Sequence, residues 1–348
     1  MILLKKRLSQ GLKKSIIGVV VVFFMIFSQH SYAQQNILFS QYIFNTISIN
    51  PAYAGFKEDW YFQAGHRSQW VGMEGVGGAP VTSQISVDGL TNTLSKNVGV
   101  GLQITTDKLG AQSANSIYGN YSYRIQLDKS DMSRLCFGLG VGISQYSTDE
   151  SQLKAVNPDD PTITFGTTNT YVPDVRFGVY YYNPKFYIGI SAMDLLADPD
   201  SSSIFNWNSD STSNIVRNKH LYLMGGALFE LTDYTKLRPG FMIREDFKGS
   251  TNIDLTALFV FDNRFWIGGT YRSGLPFWKT YKDHSEALAI SNALIGLVNF
   301  QVTDRLRVGY SYDFSLNSLS SWQKGSHELS IGCYLSRRSK RVLSPRFF

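Results

Sequence analysis

Between about residue 60 and residue 335 the chain is a succession of segments, most of them 7 to 13 residues long, in which bulky apolar side chains alternate with polar residues or glycine. In one of them Leu135, Phe137, Leu139, Val141 and Ile143 alternate with Cys136, Gly138, Gly140 and Gly142. Val98, Val100, Leu102 and Ile104 alternate in the same way with Gly99, Gly101 and Gln103, and Leu306, Val308, Tyr310, Tyr312 and Phe314 with Arg307, Gly309, Ser311 and Asp313. A period of two places alternate side chains on opposite faces of a β-strand. Each strand therefore has one apolar face and one polar or bare face. The pattern predicts fourteen strands, over 60–67, 81–88, 98–105, 115–127, 135–146, 174–182, 186–192, 219–231, 236–244, 251–261, 264–272, 288–300, 305–314 and 326–335. Alternation is imperfect in the first, second and twelfth, so twelve or sixteen stay open.

Such two-faced strands build either a large soluble sandwich or a membrane barrel with lipid outside and water inside. The connections separate the two. Those after the sixth, eighth, tenth and twelfth strands are tight: Asn183-Pro184-Lys185, Thr232 to Thr235, Asp262-Asn263 and Gln301 to Asp304. Those over 147–173 and 193–218, and those after the eleventh and thirteenth strands, are long. Short turns at one rim and long loops at the other mark an outer-membrane barrel, with the long loops external. The fold class is therefore all-β, a transmembrane antiparallel β-barrel of about fourteen strands. Tyr121, Tyr123, Tyr180 to Tyr182, Tyr187, Trp266, Tyr271, Tyr310 and Tyr312 fall near strand ends, where girdle aromatics are expected.

Composition sharpens this picture. Of 348 residues 43% are apolar, 14% aromatic and only 17% charged, with 30 Gly, 20 Tyr and 23 Phe. Soluble domains carry roughly 25% charge, so an ordinary soluble enzyme is disfavoured. The formal charge of +6 does not describe the body of the protein. Lys5, Lys6, Arg7, Lys13 and Lys14 precede the 12-residue apolar run Ile16 to Phe27, and Arg337, Arg338, Lys340, Arg341 and Arg346 crowd the C-terminal end. Taking away these five and five leaves the middle at −4, which gives no reason to expect a nucleic-acid partner.

The basic stretch, the apolar run and Ser31-Tyr32-Ala33 read as a secretory signal peptide over 1–33, cleaved after Ala33. A membrane anchor would need about 18 apolar residues. The remaining organisation is a plug-like segment over 34–59, a barrel over 60–335 and a basic periplasmic tail over 336–348.

Little in the chain points to chemistry. Gly309-Tyr310-Ser311-Tyr312-Asp313 lacks the second glycine of a nucleophile elbow and lies within an alternating strand. Beyond the signal peptide, His66, His220, His284 and His327 have no metal-ligand spacing. His220, with Ser211 and Ser213 nearby, is the one place for a rim Ser-His-Asp arrangement; a structural role outweighs it. Asp149, Glu150, Asp159 and Asp160 in one loop, and Asp194, Asp198, Asp200 and Asp210 in the other, lack EF-hand spacing and read as solvated charge rather than calcium ligands. No catalytic residue, metal or cofactor is expected. Cys136 sides with the lumen-facing glycines and Cys333 with Leu329 and Ile331 toward lipid, so no disulfide is expected.

Three stretches depart from the strand pattern or stand out within it. The first, Phe39-Ser40-Gln41-Tyr42 through Asn50-Pro51-Ala52-Tyr53-Ala54-Gly55, mixes turn formers with aromatics and reads as a compact non-strand element started by Asn50-Pro51 and ended by Gly55. The second is Arg67-Ser68-Gln69-Trp70-Val71-Gly72 with Gly78-Ala79-Pro80. The third is Gly309-Tyr310-Ser311-Tyr312-Asp313 with Gly325-Ser326-His327-Glu328-Leu329. Together they closely resemble the PorP/SprF family of outer-membrane proteins of the type IX secretion and gliding machinery of Bacteroidetes, over about residue 36 to the C-terminus. The resemblance implies a non-enzymatic accessory barrel that holds or helps export a large surface adhesin through its C-terminal domain, and that contacts other secretion components, some of them periplasmic, within outer-membrane lipid. On this reading Asn50, Pro51, Ala52, Tyr53, Gly55, Gln69, Trp70 and Gly72 form a plug or a partner surface. The basic tail with Phe347 and Phe348 forms a periplasmic docking peptide. The alternative is a passive channel or a transporter for hydrophobic solutes.

Overall fold

The computed structural model describes residues 39–73, 78–91, 96–149, 151, 166–197, 217–247, 249–275, 277 and 292–335. The signal-peptide reading of 1–33, Ser211, Ser213, His284, the interiors of the two long Asp-containing loops and the tail 336–348 lie outside these residues.

Fifteen strand segments are laid down in order: β1 (Tyr61–Ser68), β2 (Val81–Leu90), β3 (Val98–Leu109), β4 (Gln112–Gln126), β5 (Arg134–Asp149), β6 (Thr167–Tyr182), β7 (Phe186–Met193), β8 (His220–Ala227), β9 (Phe229–Glu230), β10 (Thr235–Glu245), β11 (Thr251–Phe261), β12 (Phe265–Leu275), β13 (Ala293–Gln301), β14 (Leu306–Ser315) and β15 (Ser326–Tyr334). β9 only continues β8: the ladder against β10 lapses opposite Pro239, which has no N–H to give, and resumes in the same register at Phe229↔Leu237. Every stave pairs antiparallel with its sequence neighbours, and β1 pairs with β15 from Tyr61↔Tyr334 to Ser68↔His327. The result is a closed barrel of fourteen staves. Closure pairs every stave on both sides over part of its length, as hydrocarbon surroundings require.

The alternation sets the two faces. In β5 Phe137, Leu139, Val141 and Ile143 are exposed outward while Arg134, Cys136, Gly138 and Gly140 are buried inward. Cys136 and Cys333 are free thiols on opposite faces. One rim carries the connections 91–97, 127–133, 183–185, 231–234, 262–264 and 302–305, together with the start of β1 and the end of β15. This is the turn rim. The opposite, loop rim carries 69–80, 150–166, 194–219, 276–292 and 316–325, with two short connections, 110–111 and 246–250.

Several strands run further than their sequence pattern predicts. β3 and β4 meet in a two-residue turn made by Gly110, at φ +58°, and Ala111. β6 begins at Thr167 instead of 174, which shortens the loop expected over 147–173 to 150–166. Pro173 marks a strand end in sequence because proline cannot donate to a ladder. Here β7 pairs only with Phe177–Tyr182, so Pro173 lies where β6 has a single neighbour, β5, and nothing is lost.

The outward register makes a direct expectation. Leu139→Arg, near the middle of β5, should destabilise the inserted barrel by roughly 2–4 kcal/mol, read by urea unfolding in lipid and by membrane yield. Gly140→Ser, whose new Cβ meets the movable Asn120 Oδ1 at 2.8 Å, should cost less. Equal losses would show that the register is wrong.

Candidate functional site

The lumen is occupied by the chain itself. Phe39–Phe56 is almost wholly buried inside the barrel and turns through three short 3-10 helices, Tyr42–Phe44, Thr46–Ser48 and Pro51–Tyr53. It begins near the loop rim. There the Glu328 carboxylate accepts the backbone N–H groups of Ser40, at 2.7 Å, and Gln41, at 3.0 Å. The Ser40 hydroxyl donates to Asp313 at 2.7 Å and accepts from Arg67 at 2.6 Å, and Arg67 pairs with Asp313 at 2.7 Å and Glu328 at 3.2 Å. Asp313 lies 3.8 Å from Arg272, whose guanidinium grips Asp254 through two bonds of 2.8 Å. Acid and base thus alternate across β11, β12, β14, β1 and β15. All five side chains are buried.

From there the segment crosses the lumen toward the turn rim. Arg307 and Arg238 reach over the Phe44 ring, at 4.7 and 5.8 Å, and donate to the carbonyls of Phe44 and Ile43. Asn50 caps the third turn by accepting from Ala52 N–H at 3.0 Å, and its Nδ2 reaches the wall carbonyls of Val179, 3.1 Å, and Ile190, 3.3 Å. Pro51 occupies the first helical position, where its missing N–H costs nothing. The Ala52 carbonyl accepts from Ser122, and Gly55 N–H donates to Asp88 at 2.8 Å.

The wall is shaped to receive this backbone. A Cβ on Gly138 would overlap the backbone of Pro51 and Ala52. Gly55 sits at φ +75°, and a side chain there would meet Gly99 and Leu90. Four aromatics expected in the outer girdles are instead part of this packing: Tyr180, Tyr182, Tyr187 and Trp266 are buried and face inward. Tyr53 meets Tyr180 edge-on at 5.5 Å, Phe56 meets Tyr182 at 4.7 Å and Phe44 meets Trp266 at 6.3 Å. Tyr180 and Tyr182 share the parity of Asp174, Arg176 and Gly178, the inward set of β6, and the segment supplies the apolar partners that lipid would have supplied outside. Tyr121, Tyr123, Tyr271 and Tyr310 do face outward.

The residues singled out in the sequence fall at two levels. Asn50, Pro51, Ala52, Tyr53 and Gly55 lie in the lumen against Gly99, Gly138 and Gly178, in the turn-rim half. Gln69, Trp70 and Gly72 lie on the loop rim, half-buried or exposed, where Trp70 N–H donates to Ser326 and Val71 exchanges hydrogen bonds with Gly325 and Lys324. The basic tail lies outside the described residues. The charged arc was not singled out, yet its lumen-binding members come from the three unusual stretches: Ser40 and Gln41 from the first, Arg67 from the second, Asp313 and Glu328 from the third. Polar residues at inward positions were the signal available.

The profile of the family described as type IX secretion system membrane protein PorP/SprF matches residues 31–333. The chain belongs to this family. It is an outer-membrane β-barrel of the type IX secretion system, a system whose other components it contacts. No protein with a curated description matches it. Among solved structures it is similar to Omp33 of Acinetobacter baumannii at 8% identity, with 80% of this chain and 99% of that one covered and a TM-score of 0.41. It is also similar to a Pseudomonas aeruginosa FadL homologue at 9% identity, with 84% and 94% covered and a TM-score of 0.44, and to a TodX mutant described as a monoaromatic hydrocarbon channel at 8%, with 88% and 95% covered and a TM-score of 0.48. These distant likenesses carry no argument about function.

A second ionic cluster in this PorP/SprF chain joins the end of β7 to the residues leading into β8. Asp194, just past β7, pairs with Arg217 and lies 3.1 Å from His220 Nδ1, while Arg217 also approaches Asp174 at 3.8 Å. Burial would raise the Asp194 carboxyl, but the His220 hydrogen bond and the Arg217 charge outweigh it and hold the group at about 2. Among the described residues no three His, Cys, Asp or Glu side chains are grouped to hold a metal ion. Ser211 and Ser213, named with His220 in the sequence, lie outside the described residues.

Two outcomes follow from this geometry. Gly138→Val should leave the barrel assembled and heat-modifiable on gels but displace the lumen segment, so that protease cuts within 39–59; a segment protected as in wild type would contradict the packing. Because the folded pKa of Asp194 is depressed, its contribution is present above the ordinary carboxylate value and disappears as pH falls through about 2. Asp194→Asn should therefore lower the thermal unfolding midpoint of the barrel at neutral pH, and the difference from wild type should shrink as pH falls toward about 2.

Proposed function

We propose that this PorP/SprF barrel is a plugged, non-enzymatic accessory that holds, or helps export and attach, a large surface adhesin through the adhesin's C-terminal domain. The observation that carries this reading is the filled lumen. The buried chain from Phe39 to Phe56 inside the barrel supports a plugged lumen, and the work then falls to the two rims. On this reading residues 1–33 are the signal peptide, 34–59 the plug, 60–335 the barrel in outer-membrane lipid and 336–348 the periplasmic tail. The long loops face outward, where Gln69, Trp70 and Gly72 stand, and Asn50 to Gly55 seal the lumen. The tail, with five basic residues and the Phe347-Phe348 pair, draws an acidic periplasmic surface by long-range attraction.

The test pairs a conductance measurement with a display assay. The purified barrel in a planar bilayer should not conduct, whereas a conducting wild type would favour the channel alternative. In cells, Tyr53→Ala combined with Trp70→Ala should leave the barrel inserted and reduce surface display of the adhesin several-fold. Normal display by the inserted double variant would remove the partner role from these residues.

A further inference from the structure

Arg244 is the next-to-last residue of β10 and projects into the lumen just beneath the loop rim, with 3% of its surface exposed. Tyr222 of β8 and Asn252 of β11 are its direct cross-strand partners, and both are also buried on the inner face. Directly opposed side chains on one face stand close enough to touch a common ligand. Both Nη groups of Arg244 are buried and, among the described residues, donate to nothing. Asn252 gives its Nδ2 to the Ser250 carbonyl at 3.0 Å, which leaves its buried Oδ1 without a donor.

The carboxylates around this guanidinium are committed elsewhere. Arg272 takes both oxygens of Asp254, and Asp246 Oδ1 accepts from Gly249 N–H at 2.7 Å. Arg272 adds a second positive charge to the same neighbourhood, and Asp254 and Asp246 attract Arg244 without accepting from its Nη groups. A guanidinium does not lose its proton to escape burial, and a buried cation lacking an acceptor is strongly disfavoured. Two N–H donors in a planar fork match two oxygens of a tetrahedral oxyanion. An acceptor beside the fork calls for a ligand that carries a hydrogen of its own. Phosphate has one at neutral pH, and sulfate does not.

We propose that the inner wall beneath the loop rim binds a protonated oxyanion of the phosphate class, with Arg244 donating to two of its oxygens and Asn252 Oδ1 accepting from its hydroxyl. Arg244 lies two residues from the short 246–250 connection, so the ligand arrives from the loop side.

The experiment is thermal unfolding of the full mature protein in detergent, in anion-free buffer and with inorganic phosphate or sulfate at matched ionic strength. Phosphate should raise the wild-type midpoint by several degrees and sulfate by less, and Arg244→Met should respond to neither. Without added anion Arg244→Met should unfold at or above the wild-type temperature, because the substitution removes a buried guanidinium whose Nη groups have no acceptor. If Arg244→Met is less stable than wild type under those conditions, the guanidinium is a structural partner and the proposal fails. It also fails if phosphate shifts neither protein or shifts both equally. An equal, Arg244-dependent response to sulfate would overturn the phosphate class and the role of Asn252.

Discussion

The Glu328 carboxylate, held inside the barrel by two backbone N–H groups of the N-terminal segment, is the contact on which the rest of the lumen depends. The arc Asp254, Arg272, Asp313, Arg67 and Glu328 contains three acids and two arginines, all buried. Buried ions are tolerated only when their remaining hydrogen-bonding capacity is filled. The surplus carboxylate has no third arginine in the arc, and it is Ser40 and Gln41 that meet it. Without them the wall would hold an under-compensated carboxylate. Without the wall, the segment would bury the N–H groups of Ser40 and Gln41 against nothing.

The same reciprocity governs shape. Glycine at alternate positions weakens a strand by leaving nothing to pack and more backbone freedom to lose. In this barrel Gly99 of β3 and Gly138 of β5 face the backbone of Pro51 to Gly55, and Gly178 of β6 faces the Asn50 side chain, so at these positions the missing side chains are replaced by another part of the chain. Tyr53 and Phe56 then stack at 4.6 Å and meet the inward tyrosines of β6. The apolar surface of Tyr180 and Tyr182, which water in an open lumen would oppose, is covered. Inner wall and segment are each incomplete alone.

Much of this was legible from parity. A period of two gave about fourteen staves, with twelve or sixteen left open, and it gave both faces of β3, β5 and β14 and the two-rim asymmetry, because each is a local property of a strand or turn. The girdle assignment of Tyr180, Tyr182, Tyr187 and Trp266 failed because it weighed residue type and nearness to strand ends above parity, and parity already set the two β6 tyrosines with Asp174 and Arg176. The compact turn at Asn50-Pro51 was readable from its turn chemistry. Its destination was not. Ser40 meets Glu328 across 288 positions, and nothing in the local pattern of either stretch encodes the other. Only closure of β1 against β15 brings them together.

That closure also links the lumen to the outer rim. Arg67 is on β1 and Glu328 on β15, so their ion pair bridges the seam between the first and last staves at the level where Ser40 and Gln41 bind. Just beyond it the two connecting loops pair with each other: Trp70 N–H donates to Ser326 at 3.1 Å, Val71 N–H to the Gly325 carbonyl at 2.8 Å, and Lys324 N–H to the Val71 carbonyl at 2.7 Å. Trp70 lies three residues from Arg67, and Ser326 two from Glu328. Packed groups with two-sided hydrogen bonding transmit displacement because there is no slack to absorb it. The half-exposed Trp70 loop, the seam and the anchored end of the lumen segment are therefore joined by one continuous run of hydrogen bonds.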